Sequence, residues 1–193
     1  MEGLTEIRID GRGGQGSVIA AYILAEAGFE AGRFVQAFPS FGPERRGAPV
    51  AAFVRISERP IKRRCQIRMP LYVIVQDPSL LHSAITESML PGGAILINAA
   101  KEPAGVRFGS HVRVMSFPAS ALGLEFLGQP ISNTPLLAAF LTLTDLFPLE
   151  GLERALAHRL GGESLQRNLR LMREAVQRVP PGLWKETARA AGD

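Results

Sequence analysis

The chain has 193 residues, of which 46% are hydrophobic and 21% are charged, and this composition is typical of a globular domain with a core of its own. A single cysteine excludes internal disulfides and any iron–sulfur cluster held by about four thiolates of the chain itself, and three scattered histidines predict no metal site. The formal charge of +4 rests largely on arginine, but no nucleic-acid-binding motif accompanies it. Nothing in the sequence resembles a leader or a membrane span. We therefore expect a cytoplasmic protein that binds neither nucleic acid nor membrane.

The first part of the chain predicts strands separated by one long helix. The predicted strands lie at residues 5–10, 33–38, 48–56 and 61–65. Because a four-residue turn separates the last two, they are expected to form an antiparallel hairpin. The helix over 15–31 is apolar nearly all round, and Glu26 and Glu30 are expected to mark its exposed stripe.

The second part predicts buried parallel strands followed by helices. Continuous apolar runs, typical of strands covered on both faces, occur at 71–75, 94–98 and 112–115. Helices are expected at 80–89, 118–127, 133–146, 149–159 and 164–179. The sequence therefore predicts one α/β domain over residues 1–193, with a mostly parallel sheet, a β-hairpin and a helical C-terminal third.

A glycine turn at the first strand-to-helix junction is the most informative motif. It consists of Gly11, Arg12, Gly13, Gly14, Gln15 and Gly16. Its bare backbone allows close approach either of an anion to the helix N-terminus or of another polypeptide. In the first case Arg12 and Gln15 would add donors for a phosphate or a carboxylate; in the second the turn would pack against another polypeptide.

The same glycines match the dinucleotide pattern G-x-G-x-x-G only in part. An acidic residue should follow about 20 positions later to bind a ribose hydroxyl, but residues 33–39 contain no carboxylate. A stand-alone oxidoreductase that binds NAD(P) or FAD therefore remains an alternative of lower weight.

The loop over 39–47 combines rigid and charged residues. Two prolines and two glycines constrain it, and its functional candidates are Phe38, Phe41, Glu44, Arg45 and Arg46. Phenylalanine anchors with arginine forks are typical of interface hot spots, and the arginines are also suited to phosphate groups. A solvated loop is the third alternative.

Further candidates are weaker. Asp77 follows a buried strand, where α/β sheets bind ligands, but an N-cap or Asx-turn role before Pro78 is favoured. Asn133 or Thr134 is expected to cap the next helix, and Asn133 is also a candidate for lining a cleft. The basic run 62–64, with Arg68, is expected to face an acidic partner surface or solvent.

Three segments together resemble one family. They are Gly11-Arg12-Gly13-Gly14-Gln15-Gly16, the run from Gln36 to Pro49, and Val73-Ile74-Val75-Gln76-Asp77-Pro78. In these segments the chain resembles the gamma subunit of 2-oxoacid:ferredoxin oxidoreductases of the pyruvate and ketoisovalerate type, and the resemblance extends over nearly the whole chain.

The resemblance implies a subunit of an enzyme that converts a 2-oxoacid and CoA to acyl-CoA and CO2 and passes electrons to ferredoxin. Thiamine diphosphate, Mg²⁺ and [4Fe-4S] clusters would be carried by alpha, beta and delta subunits, and this chain alone would bind no cofactor and have no activity. An isolated chain would use its subunit surfaces to form a homodimer. A scaffold subunit without a ligand is the remaining alternative.

Overall fold

Six strands form one sheet within residues 3–40, 47–106 and 108–185, the part of the chain described by the computed structural model. The strands are β1 (Leu4–Arg12), β2 (Phe34–Pro39), β3 (Pro49–Ser57), β4 (Tyr72–Val75), β5 (Ala94–Asn98) and β6 (Arg113–Phe117). Their order across the sheet is β2-β3-β1-β4-β5-β6. β1, β4, β5 and β6 are parallel, whereas β3 is antiparallel to both β1 and β2. The predicted mostly parallel α/β sheet is confirmed.

The helices lie unequally on the two faces of the sheet. They are α1 (Ser17–Glu30), α2 (Ser83–Glu87), α3 (Ala119–Leu127), α4 (Asn133–Thr144), α5 (Glu150–Arg159) and α6 (Gly162–Gln177). α1 and α3 to α6 share the larger core on one face, and α2 covers β4 and β5 on the other. The helical C-terminal third is confirmed as well.

Coverage on both faces explains the continuous apolar strands. In β4, Tyr72 and Ile74 point into the larger core while Val73 and Val75 point into the smaller one. All four side chains are at most 1% exposed. A polar group in this position needs a buried partner, as the Tyr72 hydroxyl has in the Trp184 carbonyl at 3.3 Å.

The hairpin lies elsewhere in the sequence than expected. Residues 61–65 form no strand, and the antiparallel hairpin is made by β2 and β3. The reason is that β3 is a central strand whose two edges are taken by β1 and β2, so no edge remains for a strand from 61–65. The helix expected over 80–89 is likewise shorter, because a 3-10 turn over Pro78–Leu80 precedes α2.

The expected exposed stripe of α1 is also wrong. Glu26 and Glu30 are half-buried and face α5, where Arg159 donates to Glu26 at 2.8 Å and Arg154 donates to Glu30 at 3.0 Å. The exposed side of α1 instead carries apolar residues, namely Ile19, Tyr22 and Phe29. Charged residues of such a helix usually lie on its exposed side. Here they form ion pairs on the side that faces α5.

Candidate functional site

The glycine turn lies at the point where the strand order reverses. From β1 the chain continues through α1 toward the β2 edge, whereas from β4 it continues toward β5 and β6 on the other side. The carboxyl ends of β1 and β4 are therefore adjacent with connections that diverge. Open α/β sheets bind ligands in the crevice that such a switch point creates.

The turn itself is shorter than the motif. Gly11 and Arg12 are the last residues of β1, which continues because Arg12 still pairs with Pro49 of β3. Two backbone hydrogen bonds then extend the pairing: the Gly13 N–H donates to the Ala48 carbonyl at 2.8 Å, and the Gly47 N–H donates to the Gly13 carbonyl at 3.0 Å. α1 begins at Ser17, two residues later than expected.

Two glycines of the motif are required by close contacts. A Cβ on Gly11 would lie 2.3 Å from the Ser17 Oγ and 2.7 Å from the Gln76 Oε1. Gly16 has a φ of 81°, and a Cβ there would lie 2.7 Å from the Asn133 Nδ2. Both positions therefore need glycine for packing inside the chain, whatever binds outside it.

The Arg12 guanidinium joins three segments at this edge. Its Nε donates to the Asp77 Oδ2 at 2.9 Å, one terminal nitrogen donates to the Gly47 carbonyl at 3.0 Å, and the other donates to the Ser79 Oγ at 2.7 Å. The Asp77 carboxylate neutralises its charge. Arg12 therefore positions the turn, and the anion-binding role predicted for its charge receives no support from this geometry.

Asp77 has the favoured capping role and a second role in addition. Its carboxylate accepts the Ser79 N–H at 3.0 Å at the start of the 3-10 turn, as predicted, and it also accepts from Arg12. Burial raises the pKa of Asp77, but the hydrogen bonds from Ser79 and the Arg12 charge outweigh that effect and hold the pKa below its usual value. The group is therefore ionised at neutral pH.

A buried polar network lies beneath the turn. The Ser17 hydroxyl donates to the Gln76 Oε1 at 2.6 Å, the Gln76 amide donates to the Asn133 Oδ1, and the Asn133 amide donates to the Gly16 carbonyl at 3.4 Å. Asn98, at the end of β5, donates to the Gln76 carbonyl at 2.9 Å. The network thus ties the ends of β4 and β5 to the starts of α1 and α4.

The remaining donors of the turn are backbone N–H groups. Among the described residues, neither the Gly14 nor the Gly16 N–H has an acceptor, and no side chain caps α1. The first turn of a helix adds further unsatisfied N–H groups and the positive end of the helix dipole. The edge is therefore suited to an anion or to carbonyl groups of another chain.

Two predicted site residues, Gln15 and Asn133, bind other groups of the chain itself. Gln15 accepts the Arg12 N–H at 2.7 Å and donates to Asp77 at 3.3 Å, so its amide points inward. Asn133 does not cap α4: the N-cap position is Ser132, and the Asn133 side chain is drawn into the network instead.

The loop candidates are described only in part. The Phe38 ring lies 5.5 Å from that of Phe53 and 5.3 Å from the guanidinium carbon of the buried Arg55, so it packs within the chain. Phe41, Glu44, Arg45 and Arg46 lie outside the described residues. Their interface or CoA role stays a prediction.

Asp10 is a buried acid on the opposite face of β1 from α1. Its Oδ1 accepts from the Arg8 Nε at 2.7 Å, but its buried Oδ2 has no partner among the described residues. Burial raises the pKa of Asp10, and the nearby Arg8 and His82 only partly offset this effect. Nothing in the sequence pattern singled this residue out.

The raised pKa gives a testable pH dependence. A carboxyl group whose pKa is higher in the folded than in the unfolded state destabilises the fold as the pH rises from the unfolded to the folded pKa. We therefore expect Asp10→Asn to gain stability relative to the parent chain as the pH increases above about 4, the unfolded value. Thermal melts of both proteins from pH 3.5 upward check this, and parallel curves would contradict it.

The residues missed at sequence level share one signal. Gln76 follows β4, and Asn98 is the last residue of β5 and donates to the Ser120 Oγ at 2.7 Å. Ser17 and Ser120 lie in the first turns of helices that start at the same edge. Polar residues at the carboxyl ends of parallel strands are expected to converge there, and this rule holds for Gln76 and Asn98 as it does for Asp77.

The described residues hold no group of three or more histidine, cysteine, aspartate or glutamate side chains that would bind a metal ion. Within the same ranges, no helix is long and apolar enough to cross a bilayer.

The fold and the edge define a class of protein. They are those of an α/β domain with a switch-point crevice, in which an antiparallel strand, β3, occupies the place beside β1 where dinucleotide-binding folds have a parallel strand. The comparisons with known proteins give the family.

Residues 6–178 match the model of the family described as pyruvate ferredoxin/flavodoxin oxidoreductase, and the chain belongs to this family of oxidoreductases. It is 46% identical over 154 residues to the pyruvate synthase subunit PorC of Methanosarcina barkeri, covering 79% of this chain and 85% of that protein. It is 42% identical over 180 residues to the pyruvate/ketoisovalerate oxidoreductases common subunit gamma of Thermococcus litoralis, covering 91% and 97%. The crystal structure of pyruvate oxidoreductase subunit PORC from Thermotoga maritima matches with a TM-score of 0.80 at 35% identity, covering 91% and 97%.

Proposed function

We propose that the chain is the gamma subunit of a heteromeric 2-oxoacid:ferredoxin oxidoreductase that acts on pyruvate or a related 2-oxoacid. The observation that carries this proposal is the match, along nearly their whole length, to relatives named as gamma or PorC subunits. The reaction joins the acyl group to CoA, releases CO2 and reduces ferredoxin. An enzyme with these co-substrates is expected in the cytoplasm.

The redox and carboxyl chemistry belongs to the other subunits. One cysteine does not hold a [4Fe-4S] cluster, and thiamine diphosphate with Mg²⁺ is likewise expected outside this chain. Alpha, beta and delta subunits would supply these groups. The isolated chain is therefore expected to be inactive, and a homodimer would be its substitute assembly.

Reconstitution tests the proposal directly. We expect the complete set of subunits to reduce ferredoxin with a 2-oxoacid and CoA, and the set without this chain to lose most of that activity. The purified chain alone should show none. Activity of the single chain, or full activity in its absence, would overturn the proposal.

Within the complex, the glycine turn would close the CoA-binding part of the active-site cavity. Arg12 and Gln15 are occupied inside the chain, so the open N–H groups of Gly14, Gly16 and the first turn of α1 are the donors left for a phosphate or for partner carbonyls. Helix N-termini bind phosphate in this way. Packing against a partner subunit without CoA contact remains the alternative.

Gly14 allows the turn to be probed from outside. A Cβ at Gly14 has no atom of the chain within 4 Å, so a side chain there reports on what approaches the turn. We expect Gly14→Asn in the assembled enzyme to raise the Michaelis constant for CoA about tenfold, about 1.4 kcal/mol of binding.

The matched control is Gly32→Asn. Gly32 also has a positive φ (76°, against 97° at Gly14) and an open Cβ position, but it lies beyond the other end of α1. The control should leave both the assembly of the complex and the Michaelis constant for CoA unchanged. If Gly14→Asn weakens assembly instead of CoA binding, the packing alternative is correct; if it changes neither, both roles are excluded.

The stand-alone dinucleotide-binding alternative has less support. Besides the missing acidic residue, β3 separates β2 from β1, so the strand that would carry a ribose-binding residue is not beside the turn. Thermal melts with NADH, NADPH and FAD test it: we expect no stabilisation of the isolated chain by any of the three.

A further inference from the structure

The basic charge of this chain is concentrated in one short segment, residues 59–68. Five of the 22 basic side chains but none of the 18 acidic ones fall in it, so the rest of the chain carries 17 basic and 18 acidic side chains. The net charge of +4 therefore comes from these ten residues, which we call the basic segment. The glycine turn contributes one arginine, and that arginine is neutralised by Asp77.

The basic segment is irregular, yet several contacts fix it to the sheet. The buried Arg55 donates to the Cys65 carbonyl at 2.6 Å, and Gln36 donates to the Ile61 carbonyl at 3.4 Å. Ile67 is only 4% exposed and anchors the far end. Like charges held close together destabilise the chain that carries them. A loop with only a solvated role would be free to spread these charges apart, whereas the contacts above hold them together.

Three cations of this segment are directed outward. Lys62, Arg64 and Arg68 are exposed, and none of them forms an ion pair with another described residue. Arginine forms bidentate contacts with carboxylates and is enriched at protein interfaces. The acid of this region, Glu6, is already taken by Arg55 at 2.8 Å.

A cleft of about 560 Å³ adjoins the basic segment. Arg68 and Glu6 line its polar side, and Met69 and Leu90 contribute apolar surface. The Met69 side chain is 46% exposed. Cations beside an apolar surface are complementary to a protein segment in which acidic side chains flank an apolar anchor residue.

We propose that the basic segment and this cleft are a second docking surface, which receives an acidic segment of a sister subunit of the same enzyme. This inference rests on the proposed function, because it requires a heteromeric enzyme. The surface lies at the amino end of β1, roughly 26 Å from the glycine turn at about 3.3 Å per residue over eight steps. The sister subunits thus hold the sheet at both ends.

The experiment is a pair of charge-reversal variants co-expressed with the tagged thiamine-binding and cluster-binding subunits. Arg64→Glu/Arg68→Glu changes the basic segment, and Arg170→Glu/Arg173→Glu on α6 changes the net charge by the same amount at another exposed place. We expect the first variant to bind the tagged subunits at least about tenfold more weakly, since reversed charges repel an acidic partner. The α6 variant should bind as the parent chain does, and the parent complex should weaken between 50 and 500 mM salt.

The possible results are distinguishable. Loss of assembly in the first variant alone supports the docking surface, provided that its thermal melt as an isolated chain matches that of the parent. If the first variant assembles normally, the docking surface is disproved, whether or not the Michaelis constant for ferredoxin rises. A rise in that constant would instead assign the basic segment to binding of the electron acceptor. If the parent chain itself fails to co-purify, the proposed function fails instead.

Discussion

Gly11→Ala is expected to lower the free energy of unfolding by about 3 kcal/mol and to disrupt the switch-point network. The new methyl group would lie 2.3 Å from the Ser17 Oγ and 2.7 Å from the Gln76 Oε1. Overpacking of this kind costs about 1–3 kcal/mol. Moving Ser17 or Gln76 away also breaks their buried hydrogen bond, which adds about 1–3 kcal/mol for unsatisfied polar groups.

Thermal denaturation of the isolated chain measures this effect. For a chain of this size, 3 kcal/mol corresponds to a fall in Tm of about 6–12 °C. Gly161→Ala is the matched control, because Gly161 has a φ of −129° and no atom within 4 Å of its Cβ position. The control should lower the stability by no more than about 1 kcal/mol, because Gly161 is the N-cap residue of α6 and alanine is a poorer N-cap than glycine.

A double variant identifies the contact that causes the loss. Ser17→Ala removes the hydroxyl nearest to the new methyl group, so Gly11→Ala/Ser17→Ala should be less destabilised than the sum of the two single changes. Additive losses would show that Gly11 acts through something other than this contact. In the assembled enzyme the same single variant should lose activity together with stability.

The sheet could be predicted from the sequence because its strands are buried on both faces. Apart from the Tyr72 hydroxyl and the terminal Asn98, the runs at 71–75 and 94–98 carry only apolar side chains, and few positions in a fold other than a central parallel strand accept such a run. The hairpin could not be placed in the same way. Its position depends on which edge of β3 is free, and that is decided by the pairing of β1 with β3 across about 45 residues of sequence.

The site was predictable as a location but not as a set of contacts. The glycine turn, Asp77 and Asn133 were each identified from local rules, and the structure brings all three to one edge. The partners of Arg12 lie 35 to 67 residues away in the sequence, and local rules do not give such distances. Local rules therefore leave anion binding and subunit packing both open for the turn, and they do not reveal that the Arg12 guanidinium binds Asp77.

α1 shows the same limit for charged residues. Two glutamates one turn apart predict an exposed stripe because an isolated helix places them in water. In the folded chain, α5 supplies Arg154, His158 and Arg159 opposite them. The helix can then leave apolar side chains exposed on its other side, and these are available for contact with other subunits.

Trp184→Ala should have an effect as large as that of any single change in the core, although Trp184 follows the last helix and belongs to no element. The side chain is 1% exposed, and its ring stacks on Tyr72 at 6.3 Å. The backbone N–H of Trp184, which alanine would keep, donates to the Leu143 carbonyl at 2.7 Å, near the end of α4, so the loss is expected from the side chain. Removing a buried tryptophan costs about 3–5 kcal/mol, which corresponds to a fall in Tm of about 6–20 °C.

Leu183→Ala is the control for this prediction, since the neighbouring leucine is 47% exposed and should contribute less than about 1 kcal/mol. Circular dichroism is the appropriate measurement, because Trp184 is the single tryptophan of the chain and its fluorescence is lost in the variant. Equal losses in the two variants would mean that the segment after α6 stabilises the fold through its backbone alone. A large loss in the Trp184 variant only would show that the segment after α6 is tied through the Trp184 ring to Tyr72, the first residue of β4. Because β4 leads into Gln76 and Asp77, the support of the switch-point edge would then extend to the opposite end of the sheet.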